Sequence, residues 1–544
     1  MRICSAGISP AVSTASCPRM WGRDAPTDSH RNGGAAKKHM TTNRRDFIKF
    51  VVAGSVAAGC PIDLSLLAAE TAQPSVEGED NRICHQVRDG KIFERPPVSA
   101  RHDVVIVGGG VSGLTAAYLL RSRDFLLLEK EPHWGGNAYL MEYQGNAYAT
   151  GSAFLGKSEY TYSFAKEIGL EPLPINDRDG TIIKGEWIAN TWAEGLDKLP
   201  YPASVREGFK KFKKDMLAID LIKRAGELDN IPFSDFMKGY PAEVKQWWDN
   251  YGPSNWGAAT EDTAAAMGIT EIQEIGGDTV PDFYTWPGGL GVITKKLADA
   301  LQPTFGDHMQ AGATTVAVVP GNSEVQVTYM QGAELKTVSA KAVIMATPKF
   351  ITRRIVQGLP EKQSDAMHQI RYIPYAVVNL IFDKPVFNKS YDTWCPGNTF
   401  TDFVVADWTI RNQPGYQQKY NILTCYTPMS EDERASLLSE SGARKKAASV
   451  LNDFQKLFPG SNVDPIEVHI YRRGHPLYMS TPGLYTKVQP VVREPMDRVF
   501  FANTDSEGPE STTSKAIMAA RRAVKEAESR LAGKPAPHPK TVSG

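Results

Sequence analysis

The glycine-rich segment near residue 110 constrains the fold of this 544-residue chain more than any other feature. Residues 103–107 contain a continuous β-branched run, which is typical of a strand buried on both faces of a parallel sheet. Directly after it comes the turn Gly108-Gly109-Gly110-Val111-Ser112-Gly113. We predict a helix over 114–121 and a second buried strand over 125–128. This order predicts the first βαβ unit of a Rossmann-like α/β domain.

The spacing of the glycines indicates a dinucleotide site. Gly108 suits the tight turn, Gly110 lets the backbone approach a pyrophosphate, and Gly113 lets the helix pack against the strand. Glu129 ends the second strand, about twenty residues beyond the first glycine, where a carboxylate accepts hydrogen bonds from ribose hydroxyls. The N-terminus of the helix faces the phosphates. These residues alone do not separate NAD from FAD.

Composition excludes several classes of function. Lys plus Arg and Asp plus Glu number 61 each, so no basic surplus indicates a nucleic-acid partner. The six cysteines form no Cys-x-x-Cys pair, which argues against a zinc site, covalent haem and a dense disulfide scaffold. We therefore predict an ordinary globular protein, and the sequence contains no motif of metal ligands.

The N-terminal region has the pattern of an export signal. The run 42–49, with Arg44 and Arg45 at its centre, resembles the twin-arginine motif, and the apolar run 50–58 is too short to span a bilayer. We assign 40–69 to a twin-arginine signal and 1–39 to a leader or a misassigned start. A basic cap before a short buried helix is the alternative. The signal predicts a periplasmic or otherwise exported protein, with a membrane contact only if Cys60 is lipidated.

The residues after the ribose acid narrow the cofactor. The run is Glu129-Lys130-Glu131-Pro132-His133-Trp134-Gly135-Gly136-Asn137. It resembles the flavin amine oxidase and phytoene desaturase superfamily, in which Gly135 and Gly136 let the chain pass close to the pyrophosphate and flavin. Asn137 stands where that family usually has arginine. The resemblance implies FAD as the cofactor.

Three further segments resemble the same superfamily in the same order. They are a Pro-Gly-Gly turn at 286–291, a strand and hairpin over 312–348, and a strand over 498–505 followed by a helix over 514–528. The resemblance implies that Val316, Pro348 and Asp505 contact FAD. A strand that returns to the cofactor in this way is not needed by an NAD dehydrogenase.

These segments imply two domains that are interleaved along the chain. We assign 101–157, 282–355 and 486–533 to the Rossmann-like FAD-binding domain. The intervening 158–281 and 356–485 form a mixed α+β substrate domain, helical in the first part and rich in strands in the second. The tail 534–544 is predicted to be disordered.

The first substrate segment contains an acidic stretch with two interpretations. No Lys or Arg lies between Lys245 and Lys295, while seven acids do. A solvated acidic face is the favoured interpretation. The alternative is a cavity wall that attracts a cationic amine, with polyamines among the candidates.

The run 372–379 and the run 84–90 look like the bacterial spermidine dehydrogenases. Many amine oxidases place a lysine near the flavin where Val377 stands here, so the resemblance favours a dehydrogenase that passes electrons to an acceptor protein. It also implies haem as a second cofactor, with His85 as a candidate ligand. A hydrogen-bonded histidine without a ligand role is the simpler interpretation.

For the reaction we predict hydride transfer from an amine to FAD, which requires an apolar slot rather than a protein nucleophile. Tyr478 and Trp286 are the predicted aromatic walls and His475 the nearby base, although core packing explains each equally well. Two alternatives stay open: an FAD-dependent desaturase or isomerase of a lipophilic substrate, and a non-catalytic flavin-binding protein.

Overall fold

The computed structural model describes residues 73–177, 179–277 and 282–537. The predicted leader, the predicted signal and most of the predicted tail lie outside this range, as does Asp278. Within it the protein has a mixed α/β fold with two large sheets, as the sequence predicts.

The strands, in chain order, are β1 Ser75–Gly78, β2 Val98–Val107, β3 Phe125–Leu128, β4 Leu140–Tyr143, β5 Asn146–Ala149, β6 Leu155–Gly156, β7 Leu173–Pro174, β8 Asp179–Ile183, β9 Glu186–Ala189, β10 Phe283–Thr285, β11 Met309–Gln310, β12 Ala313–Pro320, β13 Val325–Gln331, β14 Glu334–Met345, β15 Tyr372–Phe382, β16 Asp392–Trp394, β17 Asp402–Val405, β18 Asn421–Pro428, β19 Glu467–Tyr478 and β20 Val499–Phe501.

The α-helices are α1 Arg82–Arg88, α2 Val111–Leu119, α3 Tyr160–Glu167, α4 Ala203–Leu217, α5 Leu221–Leu228, α6 Ala242–Trp256, α7 Ala265–Gly276, α8 Gly291–Phe305, α9 Lys349–Ile355, α10 Glu361–Gln369, α11 Glu440–Lys456, α12 Gln489–Val492 and α13 Thr513–Leu531. In the described part of the chain, no helix combines the length and apolar character that crossing a bilayer requires.

The first sheet carries the predicted βαβ unit. Its order is β11-β3-β2-β14-β13-β12, with β20 paired to β14. Strands β3, β2, β14 and β20 run parallel to one another, so their carboxyl ends meet at one edge. Helices α2 and α13 bury apolar residues such as Leu114 and Ile517 on one face of this sheet. Helix α2 begins at Val111, three residues before the predicted start, because the last part of the glycine turn is already helical.

The second sheet has the order β1-β19-β15-β18-β17-β16-β8-β9. Its central strand β15 is buried at every position. Side chains of a strand alternate between faces, so Tyr375 and Val377 pack on the side of α4, α6 and α7, while Val378 packs on the side of α11. The segment 158–281 contains helices α3–α7 together with strands β7–β9, and the segment 356–485 contains strands β15–β19.

Candidate active site

A cavity lies at the carboxyl edge of the first sheet, where a dinucleotide was predicted. Its empty space, together with the open solvent at its mouth, is about 1390 Å³, and residues at the ends of β2, β3, β14 and β20 line it. We call it the dinucleotide cavity. The predicted site residues that line it are Gly108, Gly110, Glu129, Gly136, Asn137, Pro348 and His475.

Glu129 is held rigidly at the back of this cavity. Its Oε2 accepts a hydrogen bond of 2.6 Å from the Gly109 N–H, and its Oε1 accepts one of 2.8 Å from the Glu131 N–H. Burial raises the pKa of Glu129. Each oxygen keeps a second lone pair, so the carboxylate can still accept from a ribose hydroxyl.

Two glycines of the turn have different roles. A Cβ at Gly113 would collide with the carbonyl oxygen of Gly108, so this position must be glycine for α2 to pack against the strand. A Cβ at Gly110 would meet no atom closer than 3.8 Å, and Gly110 lines the cavity. The absent side chain of Gly110 therefore leaves room for a ligand rather than for the protein.

A pair of glycines, Gly135 and Gly136, lies beside the glycine turn. The Gly135 N–H donates to the Gly109 carbonyl at 2.9 Å, so Gly135 braces the turn but does not line the cavity. Gly136 and Asn137 do line it. Asn137 Nδ2 donates to the Pro476 carbonyl at 2.6 Å, which fixes its amide to the chain instead of leaving it to a phosphate.

The structure does not bring Val316 to the dinucleotide cavity. A register shift between Thr315 and Ala317 interrupts the β12–β13 pairing at this residue, and the Val316 side chain is buried. Ala313, Thr314 and Thr315 line the cavity instead. The contact of Val316 with FAD stays a prediction, and the bulge at this residue cannot be read from the apolar pattern alone.

Asp505 also takes a different position from the one predicted. Its side chain is fully buried and accepts hydrogen bonds from Lys349 Nζ at 2.6 Å, from the Lys349 N–H at 2.8 Å and from the Tyr372 hydroxyl at 2.6 Å. It does not line the cavity, whereas Asn503 and Thr504 do. β20 ends at Phe501, so the turn after it points Asp505 into the protein.

The residues of the cavity fit FAD. The Thr315 hydroxyl is buried without a hydrogen-bond partner among the described residues, and it lines the cavity. Together with the space beside Gly110 and the acceptor oxygens of Glu129, this gives a polar cradle of dinucleotide character.

A second cavity lies between the second sheet and the helices α6 and α7. Its empty space, together with the open solvent at its mouth, is about 1410 Å³, and we call it the substrate cavity. Its acidic lining residues are Glu159, Glu271, Glu274, Asp392, Asp402 and Glu510. Its aromatic lining residues are Phe154, Tyr251, Trp256, Phe283, Tyr375, Trp394 and Tyr426. Carboxylates among aromatic faces suit a cation that carries carbon chains.

Asp402 is the best defined of these acids. The hydroxyls of Ser254 and Thr401 both donate to its Oδ1, at 2.9 and 2.5 Å, which leaves Oδ2 as the oxygen that can accept from an ammonium group. The Tyr375 hydroxyl contacts Ser254 Oγ at 2.8 Å and extends this network along the wall. Burial raises the pKa of Asp402 to about 7.

Glu159 forms a second acidic point in the same cavity. It accepts from the Gly156 N–H at 2.6 Å and from the Ser514 hydroxyl at 3.1 Å. Burial, with the nearby Glu510 and Glu274, raises its pKa to about 7.

The acidic stretch of the sequence divides between the two interpretations. Glu271 and Glu274 line the substrate cavity, as the amine hypothesis expects. Four more take part in ion pairs: Asp249 and Glu261 with Lys245, Asp262 with Arg371, and Asp282 with Lys157. The acidic stretch therefore contributes some residues to the lining of the substrate cavity and others to ion pairs.

The two cavities meet at a buried arginine that the sequence analysis did not select. Arg473 lines both cavities, as do Asn137 and Pro476. Its guanidinium donates to the Thr150 carbonyl and to the Gly136 carbonyl at 3.1 Å, and it stacks over the Tyr471 ring at 4.2 Å. Burial lowers its pKa. Arg473 could have been selected from the sequence because it lies two residues before His475, in the same strand β19.

Two of the three predicted catalytic residues lie away from both cavities. Trp286 Nε1 donates to the Glu171 carbonyl at 2.8 Å, and the Tyr478 hydroxyl donates to the Gly508 carbonyl at 3.0 Å. Both side chains are buried in the core, so core packing is the interpretation that the structure supports.

His475 lines the dinucleotide cavity, with its ring 4.4 Å from that of Phe350. Burial lowers its pKa to about 4, so the imidazole is neutral near pH 7. His85, on α1, lines a surface groove that His475 also lines. The histidine proposed as a haem ligand is thus near the cofactor region, and its role stays a prediction.

Comparison with known proteins agrees with this geometry. The chain is 23% identical over 504 residues to the oxidoreductase PigB of Serratia, covering 76% of this chain and 73% of that protein. It is 23% identical over 451 residues to human flavin-containing amine oxidase B, covering 75% and 82%.

Solved structures share the fold. Cyclohexylamine oxidase from Brevibacterium oxydans matches with a TM-score of 0.62 and 18% identity, over 79% of this chain and 99% of that one. Putrescine oxidase bound to putrescine matches with a TM-score of 0.61 and 17% identity, over 78% and 98%. The family model for flavin containing amine oxidoreductase matches residues 111–527, and the chain therefore belongs to that family.

Proposed function

We propose that the protein oxidises a cationic amine in the substrate cavity with FAD held in the dinucleotide cavity. The observation that carries this proposal is that the two cavities meet at Asn137, Arg473 and Pro476. FAD would supply a two-electron acceptor for the hydride of the amine carbon. The protein supplies binding, orientation and exclusion of water.

The charge of the substrate cavity supports an amine. A protonated amine is attracted by the carboxylates, and Asp402 Oδ2 can accept its N–H. The aromatic side chains then hold the carbon chain. A desaturase of a lipophilic substrate would instead favour an apolar tunnel, and a non-catalytic flavin protein would favour side chains that plug the junction.

Two acidic points in one cavity favour a substrate with more than one amino group. Asp402 lies on β17, while Glu159 precedes α3 and lies beside α13 through its bond to Ser514. A polyamine has ammonium groups separated by methylene chains, which suits a cavity lined by both separate carboxylates and aromatic rings. We include polyamines as the first substrates to test.

Transfer of electrons to an acceptor protein, rather than to oxygen, is also part of the proposal. Val377, which the resemblance places where many amine oxidases have a lysine, lines the substrate cavity, and this supports the proposal. Among the described residues the cavity lining contains no lysine. Rapid reaction of reduced flavin with air would contradict this part.

Export by the twin-arginine route completes the proposal, although Arg44 and Arg45 lie outside the described residues. Replacing both by lysine should leave folded protein in the cytoplasm. No comparison supports the predicted haem.

The decisive experiment is anaerobic reduction of the purified flavoprotein by single compounds. Putrescine, spermidine, cyclohexylamine and a neutral amide of equal size are each mixed with the enzyme, and the flavin absorbance is followed. We expect bleaching by amines and none by the amide. Bleaching by no amine but by a lipophilic alkene precursor would overturn the amine assignment.

Admission of air to the reduced enzyme, in parallel with an artificial acceptor, then separates a dehydrogenase from an oxidase. We expect the acceptor to reoxidise the flavin much faster than air does.

A further inference from the structure

A second group of chemically active side chains lies at the opposite edge of the first sheet. His102 is in β2, Asp124 directly precedes β3, and His308 directly precedes β11. These three parallel strands are neighbours in the order β11-β3-β2. The topology therefore brings the three residues together beside the amino ends of β3 and β11 and the middle of β2, away from the dinucleotide cavity.

The three side chains are within reach of a common point. One ligand atom from each residue lies within 4.8 Å of the others. His102 Nδ1 is 2.9 Å from Asp124 Oδ1, and His308 Nδ1 is 3.5 Å from the same oxygen. Ligand atoms around a tetrahedral zinc ion are about 3.3 Å apart, as bond lengths near 2.0 to 2.1 Å require.

The neighbours of this group set what a metal ion would have to displace. His308 Nδ1 is 2.8 Å from the Phe125 carbonyl, so binding through this nitrogen requires the ring to turn away from that oxygen. Lys341 pairs with Asp103 at 2.7 Å, and the charge of Asp124 also helps to raise the pKa of this lysine.

We propose that His102, Asp124 and His308 bind one divalent transition-metal ion of the zinc type, which links three strands at the edge of the FAD-binding sheet. Two histidines and a carboxylate supply three ligands, and the fourth position is open to water because Asp124 and His308 are partly exposed, at 46% and 38% of their side-chain area. The ion stabilises the sheet and takes no part in the oxidation, since the cofactor lies at the other edge.

The test is titration of the untagged, metal-stripped flavoprotein with zinc chloride, followed by calorimetry and by thermal unfolding. We expect saturable binding of about one ion per chain and a rise in the melting temperature, because a ligand that binds only the folded state stabilises it. Amine oxidation at a fixed temperature should not change.

Variants locate the ion. His102→Ala and His308→Ala should each weaken zinc binding at least about tenfold, since loss of an outer-shell partner alone costs as much. Asp124→Asn keeps a group that can hydrogen-bond to His102 but removes the charge, and it should weaken binding without loss of the fold. His368→Ala changes an exposed histidine on α10 outside the cluster and is the matched control.

Circular dichroism of each variant separates loss of the fold from loss of the ligand. The proposal is overturned if the wild-type chain shows no saturable binding. It is also overturned if the folded His102→Ala/His308→Ala double variant binds zinc as tightly as the wild type does.

Discussion

The dinucleotide cavity and the substrate cavity touch each other, yet the chain builds them by different means. The first is formed by backbone at the carboxyl ends of adjacent parallel strands, with glycines where a ligand approaches. The second is formed by side chains from the second sheet, from helices and from the segment near Ser511. A cavity lined by backbone can be predicted from residues that are close in the sequence. A cavity lined by side chains depends on how distant elements pack.

The largest expected effect is on the dinucleotide cavity, the first of the two regions compared. Gly110→Glu should abolish FAD binding, because the new side chain would occupy the space beside the turn while meeting no protein atom closer than 3.8 Å at its Cβ. The protein should fold and purify without flavin absorbance. Gly226→Glu, on the exposed face of α5 with no atom within 4 Å of its Cβ, is the control. Stoichiometric flavin in Gly110→Glu would refute the assignment.

The next prediction tests whether Asp505 stabilises the fold or contacts FAD. Asp505→Asn should reduce the free energy of unfolding by about 3 to 5 kcal/mol, because it leaves the charge of Lys349 buried without its partner. Denaturant unfolding of the apoprotein measures this loss. Burial already lowers the pKa of Lys349, so the lone amine would be driven further towards its neutral form.

Lys349→Met combined with Asp505→Asn should recover part of that stability, since both charges are then gone. A single Asp505→Asn variant that keeps its stability but loses FAD would restore the predicted cofactor contact.

A smaller effect tests the substrate cavity. Asp402→Asn should raise the KM for amines by about tenfold to a hundredfold, which corresponds to loss of a charged hydrogen bond of about 1.5 to 3 kcal/mol. Asp453→Asn is the control, because Asp453 also accepts from a threonine hydroxyl but does not line the cavity. Equal effects in the two variants would contradict a role in binding.

The pH dependence sharpens the same test. Because burial raises the pKa of Asp402 to about 7, the carboxyl is neutral in acid and ionised above that value. Attraction for an ammonium group is therefore lost as the pH falls through about 7. We expect kcat/KM to rise with pH across this range in the wild type and to rise less steeply in Asp402→Asn.

The smallest effect compares the two faces of β15. Val377→Lys places an amine in the substrate cavity, where carboxylates can pair with it, and should speed the reaction of reduced flavin with air several-fold. Val378→Lys, one residue along, places the charge in the apolar core beside α11 and should mainly destabilise the fold. Stopped-flow reoxidation and thermal unfolding separate the two results. Identical behaviour of both variants would mean that the face of the strand does not matter.

The sequence alone determined the βαβ unit, the glycine turn, Glu129 and the cofactor edge of the sheet. These features are local, because strand periodicity and glycine spacing act over fewer than about thirty residues. Gly108, Gly110 and Gly136 therefore line the dinucleotide cavity at the edge where the pattern predicts it. Even there, the bulge at Val316 and the turn at Asp505 changed which neighbouring residues face the cavity.

Only the tertiary structure decided the substrate cavity and the group His102, Asp124 and His308. Asp402 comes from β17 and its partner Ser254 from α6, which are 148 residues apart in the chain. Arg473 reaches the junction because β19 pairs with β15, which places it opposite Tyr375. The packing of distant elements also places the side chains of Trp286 and Tyr478 in the core. The period of an element fixes which residues share a face, but the packing of distant elements decides whether that face meets solvent, core or ligand.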